Sequence, residues 1–205
     1  EFILESNFKI TKKILNLISE IDRFNGSWEI LKNQKPAFLN ELKKTIIVTS
    51  SGASTRIEGS KLSDAEIEIK LKGLKIGKLT NRDEQEVQGY IETLSDIFEN
   101  YQNMPFSENH IKYLHKKLLK YSLKDSRHIG EYKKLCNDVS LFEDGIEKQI
   151  IMQTSSPFET PFDMENICNN FNKLWNKKEI HRILLIAEFH LKLLKIHPFQ
   201  DGNGR

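Results

Sequence analysis

The chain has 205 residues, 38% apolar and 29% charged, with a net charge of +2. That length suits one globular domain, or a domain with a helical extension, and the near-neutral balance gives no electrostatic ground for nucleic-acid or membrane-surface binding. The longest apolar run, Ile183 to Ala187, is far short of a membrane span, and no secretory signal is visible.

Helical periodicity dominates. Phe8, Ile10, Ile14, Leu15, Leu17, Ile18 and Ile21 predict a first helix ended by Asn25-Gly26. Pro36 precedes a second, with Phe38, Leu39, Leu42, Ile46 and Ile47 on its apolar face. A stretch rich in small and hydroxyl residues follows, Thr49 to Ser60. Ser63-Asp64-Ala65-Glu66 is a capping box that opens a short helix, closed by Gly73 and Gly77. Asn81 can cap a long helix through Val87, Tyr90, Ile91, Leu94, Ile97 and Phe98. Pro105 breaks it, and Ser107 starts another through Ile111, Leu114, Leu118 and Leu119.

The pattern then changes. Val139-Ser140-Leu141-Phe142, a turn at Glu143-Asp144-Gly145, and Gln149-Ile150-Ile151-Met152 predict a short hairpin. Two strands are too few to form a core, so the hairpin is expected to lie on a helical body as a flap. Thr160-Pro161 predicts the next helix start, cap first and proline second. A last helix from about Glu179 to Ile196 carries Ile180, Ile183, Leu184, Ala187, Leu191 and Leu194 at helical spacing, with Leu185, Ile186, Leu193 and Ile196 widening the stripe. This is expected to be the buried central helix.

Directly after it comes His197-Pro198-Phe199-Gln200-Asp201-Gly202-Asn203-Gly204-Arg205. Proline ends the helix, so His197 sits at a helix-to-loop junction, where imidazole can take a proton near neutral pH. Asp201 offers a hard oxygen ligand suited to magnesium. Gly202-Asn203-Gly204 lets backbone amides converge on an anion, and Arg205 supplies a permanently charged phosphate clamp. Base, metal ligand, anion nest and arginine together describe phosphoryl or nucleotidyl transfer. Arg205 also falls inside this pattern and the chain opens on Glu1, so the sequence reads as a fragment.

The string resembles the signature of the Fic family, H-P-F-x-D/E-G-N-G-R followed by x-x-R, and every position through Arg205 matches. Ile186-Ala187-Glu188-Phe189-His190 and Lys195-Ile196 are similar to the family's central helix. Ile129-Gly130-Glu131-Tyr132-Lys133 is similar to its G-x-Y/F-R segment, with lysine in place of arginine. The resemblance runs from about Leu42 to Arg205, and the second signature arginine would fall three residues further on. It implies an all-α, Fic-like bundle with one β-hairpin flap, comprising N-terminal helices with an inhibitory motif over residues 1–60 and a catalytic core over 61–205. It also implies a protein adenylyltransferase that moves AMP from ATP, with Mg2+, to a Ser, Thr or Tyr hydroxyl of a target protein or of itself. His197 would be the base and Phe199 the loop's anchor. Asp201 would be the metal ligand, and Gly202, Asn203 (with its side chain too), Gly204 and Arg205 the nucleotide-binding residues. Val139, Ser140, Leu141, Ile150 and Ile151 would form the target-docking flap.

Ser54-Thr55-Arg56-Ile57-Glu58-Gly59 is similar to the family's inhibitory motif S/T-x-x-x-E-G/N. On a helix, Ser54 and Glu58 lie one turn apart on one face. The resemblance implies that Glu58 occupies the clamp of the γ-phosphate and holds the enzyme inactive. Transfer of another nucleotide or phosphate-containing group is the alternative, and a catalytically silent interaction module is the rival from another class. Cys136 and Cys168 read as ordinary thiols of a cytoplasmic protein. His110, His115, His128, His181 and His190 show no metal spacing, and His190, seven residues before His197, reads as packing. No nucleic acid or membrane partner is expected; a homo-oligomer stays open.

Overall fold

A computed structural model describes residues 9–57, 60–72, 82–122, 127–143 and 146–205. Seven α-helices and one hairpin appear among them: α1 (Lys12–Gln34), α2 (Pro36–Ile57), α3 (Asp64–Leu71), α4 (Arg82–Asn100), α5 (Glu108–Leu118), β1 (Val139–Glu143), β2 (Ile146–Met152), α6 (Thr160–Lys177) and α7 (Arg182–Ile196). This is the expected all-α bundle with a single small flap. Gly73, Gly77, Asn81, Phe8 and the Asp144-Gly145 turn lie outside the described residues.

The chain forms two compact units, Glu1–Thr45 and Ile46–Arg205. In the first, Thr11 caps α1 by accepting from the Ile14 amide at 3.3 Å. Asn25-Gly26 does not end this helix, which continues to Gln34. An isolated glycine in an exposed helix costs only about 1 kcal/mol relative to alanine, which the flanking turns can absorb. Pro36 opens α2 as its first residue, where its missing N–H is harmless.

In the second unit, helices pack in chain order: α3 on α4, α4 on α5, α5 on α6 and α6 on α7. One core cluster joins Ile47 and Val48 of α2 to Ile67 of α3 and to Val87 and Ile91 of α4. Gly89 permits the α4–α5 approach, because a Cβ there would collide with the Leu118 carbonyl. A second cluster joins Phe171 and Leu174 of α6 to Leu185 of α7. Phe106 adds rings 4.2 Å from Phe171 and 4.8 Å from Phe189. The α7 stripe is only partly covered among the described residues: Leu185 and Ile196 are buried, while Ile186 and Leu191 are exposed. Apolar periodicity fixes which face a helix prefers to bury, not how much of it a neighbour covers.

Caps explain most of the boundaries. The Ser63 amide donates to Glu66 Oε2 at 2.8 Å and the Glu66 amide to Ser63 Oγ at 3.4 Å, a reciprocal capping box. Ser107 caps α5 through the His110 amide at 3.3 Å. Thr160, expected as the cap of α6, is instead its first helical residue, with its hydroxyl on the Ser156 carbonyl at 2.7 Å. Ser156 and Glu159 form a second capping box one turn earlier, and the Asp163 amide, which a Thr160 cap would otherwise serve, donates to the Glu159 carbonyl at 3.0 Å.

Candidate active site

The helix α7 stops because Pro198 follows His197. The His197 amide still reaches the Leu193 carbonyl at 2.9 Å, and the residue takes a left-handed conformation (φ 52, ψ 60). That conformation costs a non-glycine residue about 1–2 kcal/mol, so the surroundings must hold it. They do so from three sides.

The first side is the loop itself. Asn203 accepts from the Phe199 amide at 2.9 Å and donates to the Phe199 carbonyl at 2.7 Å, closing residues 199–203 into a ring. The Asn203 side chain, expected on the phosphates, thus spends its oxygen and one of its two Nδ2 hydrogens on Phe199. The Gly202 amide donates to Asp201 Oδ1 at 2.7 Å, which fixes the carboxylate. Gly202 has φ +78, a left-handed value suited to glycine.

The second side is the segment after α5. Lys133 is buried, and its amide donates to the Pro198 carbonyl at 2.8 Å. Its ammonium donates to the Ile196 carbonyl, Asn137 Oδ1 and Thr154 Oγ1, at 2.9, 2.7 and 2.9 Å. Asn137 donates to the carbonyls of His197 at 3.3 Å and Phe199 at 2.7 Å. The Leu135 amide reaches Gln200 Oε1 at 3.3 Å. Thr154 lies two residues past the end of β2, so the same network reaches the foot of the hairpin.

The third side is α5. The His115 ring stacks on Phe199 with centroids 3.8 Å apart and planes at 5°, and its Nε2 lies 2.9 Å from the Asp201 carbonyl. Sequence reasoning gave no role at the loop to His115, or to Lys133 beyond its place in the segment similar to the family's G-x-Y/F-R. A signal was available for the first: His115 sits on the apolar face with Ile111, Leu114 and Leu118, and a histidine buried there needs hydrogen-bond partners. His190, read as packing, is exposed. A position one heptad before His197 shares its helix face only approximately, since each heptad drifts by about 20°.

Electrostatically, burial pushes the His197 imidazole below its ordinary value. The Leu194 carbonyl acts against this, the Lys133 ammonium adds to it, and Asp201 opposes it weakly. The net direction keeps the ring neutral and able to accept a proton. The Arg205 side chain is buried, with its guanidinium 3.4 Å from Glu86 Oε1 and 3.8 Å from Asp201 Oδ1. Glu86 of α4, also buried, pairs with Arg82 at 2.6 Å. Gly204 is exposed. The donor set fits magnesium. Among the described residues no group of three or more His, Cys, Asp or Glu could cage a metal, and the partly exposed Asp201 carboxylate is the single hard ligand of the loop. Magnesium keeps most of its waters and takes phosphate oxygens rather than a full protein cage. A largely apolar cavity of about 270 Å³, walled by Leu94, Ile97, Leu114, Leu118 and Leu193, borders the loop, and Arg205 is the one charged residue in its lining, beside Gly202 and Asn203.

Thus His197, Asp201, Gly202, Asn203, Gly204 and Arg205 come together on one loop. The hairpin is antiparallel, pairing Ser140 with Ile150 and Leu141 with Gln149, with irregularities after Val139 and Leu141. Leu141, Ile150 and Ile151 are exposed, whereas Val139 and Ser140 are half-buried. Ser54 is half-buried near the end of α2. That end is tied down: Arg56 pairs with Asp64 at 2.8 Å and donates to the Leu62 carbonyl at 3.1 Å. Glu58 and Gly59 lie outside the described residues.

Residues 105–205 match the model of the Fic/DOC family. No curated protein sequence matches the chain. Among solved structures, a Fic domain containing signaling protein from Bacteroides thetaiotaomicron is 28% identical with a TM-score of 0.75, covering 90% of this chain and 68% of its own. A Fic family protein from Desulfovibrio desulfuricans is 23% identical (TM-score 0.74; 97% of this chain, 55% of its own). Fic-1 from C. elegans is 22% identical (TM-score 0.63; 94% and 56%). The chain thus spans a little over half of the last two and about two thirds of the first. The signature loop, the helical body with one hairpin and the matching family model together mean that this chain belongs to the Fic/DOC family.

Proposed function

We propose that this protein is an adenylyltransferase, moving AMP from ATP to the hydroxyl of a Ser, Thr or Tyr side chain on a target protein or on itself. Members of its family commonly transfer AMP or other groups onto proteins. The observation that carries the reading is the pinned, half-buried His197, held toward its neutral form, on the same loop as Asp201 and Arg205. His197 accepts the hydroxyl proton as the oxygen attacks the α-phosphorus, and pyrophosphate leaves. Asp201 would hold magnesium, which when bound offsets charge on the phosphates. The Gly202–Gly204 backbone and Arg205 orient the phosphate chain. Positioning and electrostatics supply most of the acceleration, with the base contributing about 10²–10⁴-fold.

The exposed hairpin residues Leu141, Ile150 and Ile151 suit the docking of an extended target segment against the strand edge. Glu58 would serve as an internal competitor, its carboxylate taking the place of the γ-phosphate on the second signature arginine. Holding an inhibited state at 99 to 1 needs only about 2.7 kcal/mol, within reach of one shielded carboxylate–arginine contact. The anchored end of α2, which leads into Glu58, supports this assignment.

The test compares ATP labelled on the α-phosphate with ATP labelled on the γ-phosphate, in a chain carrying the whole signature and Glu58→Gly. Label on protein from the α position alone is expected. Label from the γ position would make the protein a kinase-like relative. Bound nucleotide with no label from either would favour a silent module.

A further inference from the structure

His115 lies outside the signature, 86 residues before Asp201 in sequence, yet it meets the loop at both the Asp201 carbonyl and the Phe199 ring. Its Nδ1 accepts from the Gly130 amide at 3.0 Å. That nitrogen therefore carries a lone pair. Its Nε2 faces the Asp201 carbonyl oxygen at 2.9 Å, an acceptor, so Nε2 carries the hydrogen. The two contacts together allow only the neutral Nε2–H tautomer. The ring face lies flat on Phe199, and a Cβ on Gly202 would stand 3.3 Å from Nε2. The imidazole is buried, so a broken bond would not be replaced by water at no cost.

We propose that His115 is a positioning residue of the active loop: by clamping the Asp201 carbonyl and the Phe199 ring, with Gly130 fixing its tautomer, it sets the peptide whose N–H holds the Asp201 carboxylate, and so aims that carboxylate at a metal-bound polyphosphate. The physical link is short. The clamped carbonyl belongs to the Asp201–Gly202 peptide, the same peptide whose N–H holds Asp201 Oδ1. Rotating that peptide would turn the carboxylate away. Gly130 has φ +74, and its amide sits at the bend that leads into Lys133, so one side chain registers the 130–138 segment and the signature loop against each other.

The metal-and-phosphate part rests on the proposed transfer function, so the experiment has an arm that needs no nucleotide. In the full chain, imidazole nitrogen chemical shifts should report His115 as the Nε2–H tautomer. Amide exchange should then be compared in wild type, His115→Phe and His115→Gln. Phenylalanine keeps the stack and loses both hydrogen bonds; glutamine restores a donor near Nε2. The expected result is exchange about 10- to 100-fold faster at Gly130, Phe199 and Gly202 in His115→Phe, with the α6 and α7 core unchanged and partial recovery in His115→Gln. In a chain carrying the whole signature and Glu58→Gly, His115→Phe should raise the magnesium concentration needed for half-maximal ATP binding by a similar factor. An Nδ1–H tautomer, or unchanged exchange at Phe199 and Gly202, would overturn the proposal whether or not AMP is transferred. Should His115→Phe fail to fold, the tautomer in wild type and the exchange in His115→Gln still decide it. Unchanged magnesium dependence with faster loop exchange would reduce His115 to a packing residue.

Discussion

The signature loop and the hairpin both interrupt a helical body, and they are built in opposite ways. In the loop, the carbonyls of Ile196, His197, Pro198, Phe199 and Asp201 each meet a donor from a side chain or backbone elsewhere in the unit. In the hairpin, the register slips twice within five residues, and Leu141, Ile150 and Ile151 stand in solvent. The proposed chemistry at a phosphorus would tolerate little misplacement, and over-determined groups suit it. Docking of a partner strand needs an accessible edge and adaptable side chains, which a pinned hairpin could not offer. The two regions meet at Thr154, whose hydroxyl joins the Lys133–Asn137 network.

This contrast can be broken most sharply at His197. His197→Ala should lower transfer by about 10²–10⁴-fold while circular dichroism and ATP binding stay near wild type. Next in size is Lys133→Met, which removes a buried donor from three acceptors and leaves the Ile196 carbonyl without it. A loss of about 3 kcal/mol is expected, and so a melting point roughly 6–12 °C lower by calorimetry, with Lys133→Arg losing less. Gly202→Ala forces alanine to φ +78 and presses on His115, which should cost about 1–2 kcal/mol and weaken ATP binding more than it lowers stability. At the other end, Ile151→Ser in the hairpin should stay within about 0.5 kcal/mol of wild type in stability and reduce only the affinity for the target. A large stability loss there would mean that the hairpin is part of the core.

The loop's electrostatics make a pH prediction. His197 has a folded pKa below its unfolded value, because burial disfavours the imidazolium. Its neutral form therefore contributes stability in full above about pH 6.5, and that contribution is lost as pH falls below this value toward the folded pKa. Transfer should likewise persist below about pH 6.5 before its acid limb falls. Lys133→Met removes a nearby positive charge, so the acid limb in that variant should shift to higher pH. An unmoved limb would separate Lys133 from the base.

What the sequence made legible was what neighbouring residues decide. Ser63 with Glu66, Ser107 before α5, and Pro198 after His197 each act within a turn of themselves, and each sits where local chemistry places it. The hairpin was readable for the same reason. Gly26 misled because a local breaker lost to the helix on either side, and Thr160 because Ser156 and Glu159 capped first. The partners of His197 were invisible. Lys133 reaches Ile196 across 63 residues and His115 reaches Asp201 across 86, and no periodicity encodes such meetings. The signature singled out the loop on which the proposed chemistry rests; the side chains that hold that loop still came from elsewhere in the chain.

The central claim is that one loop transfers AMP and one upstream glutamate restrains it. The most direct measurement uses a chain carrying the whole signature, as wild type, Glu58→Gly and Glu58→Gly/His197→Ala, each incubated with magnesium and ATP and weighed by intact-protein mass spectrometry with and without added protein targets. An added AMP mass in the Glu58→Gly chain, much less in wild type and none in the double variant, is the predicted result. Equal modification of wild type and Glu58→Gly would contradict the restraint, and modification that survives His197→Ala would contradict the assignment of the base.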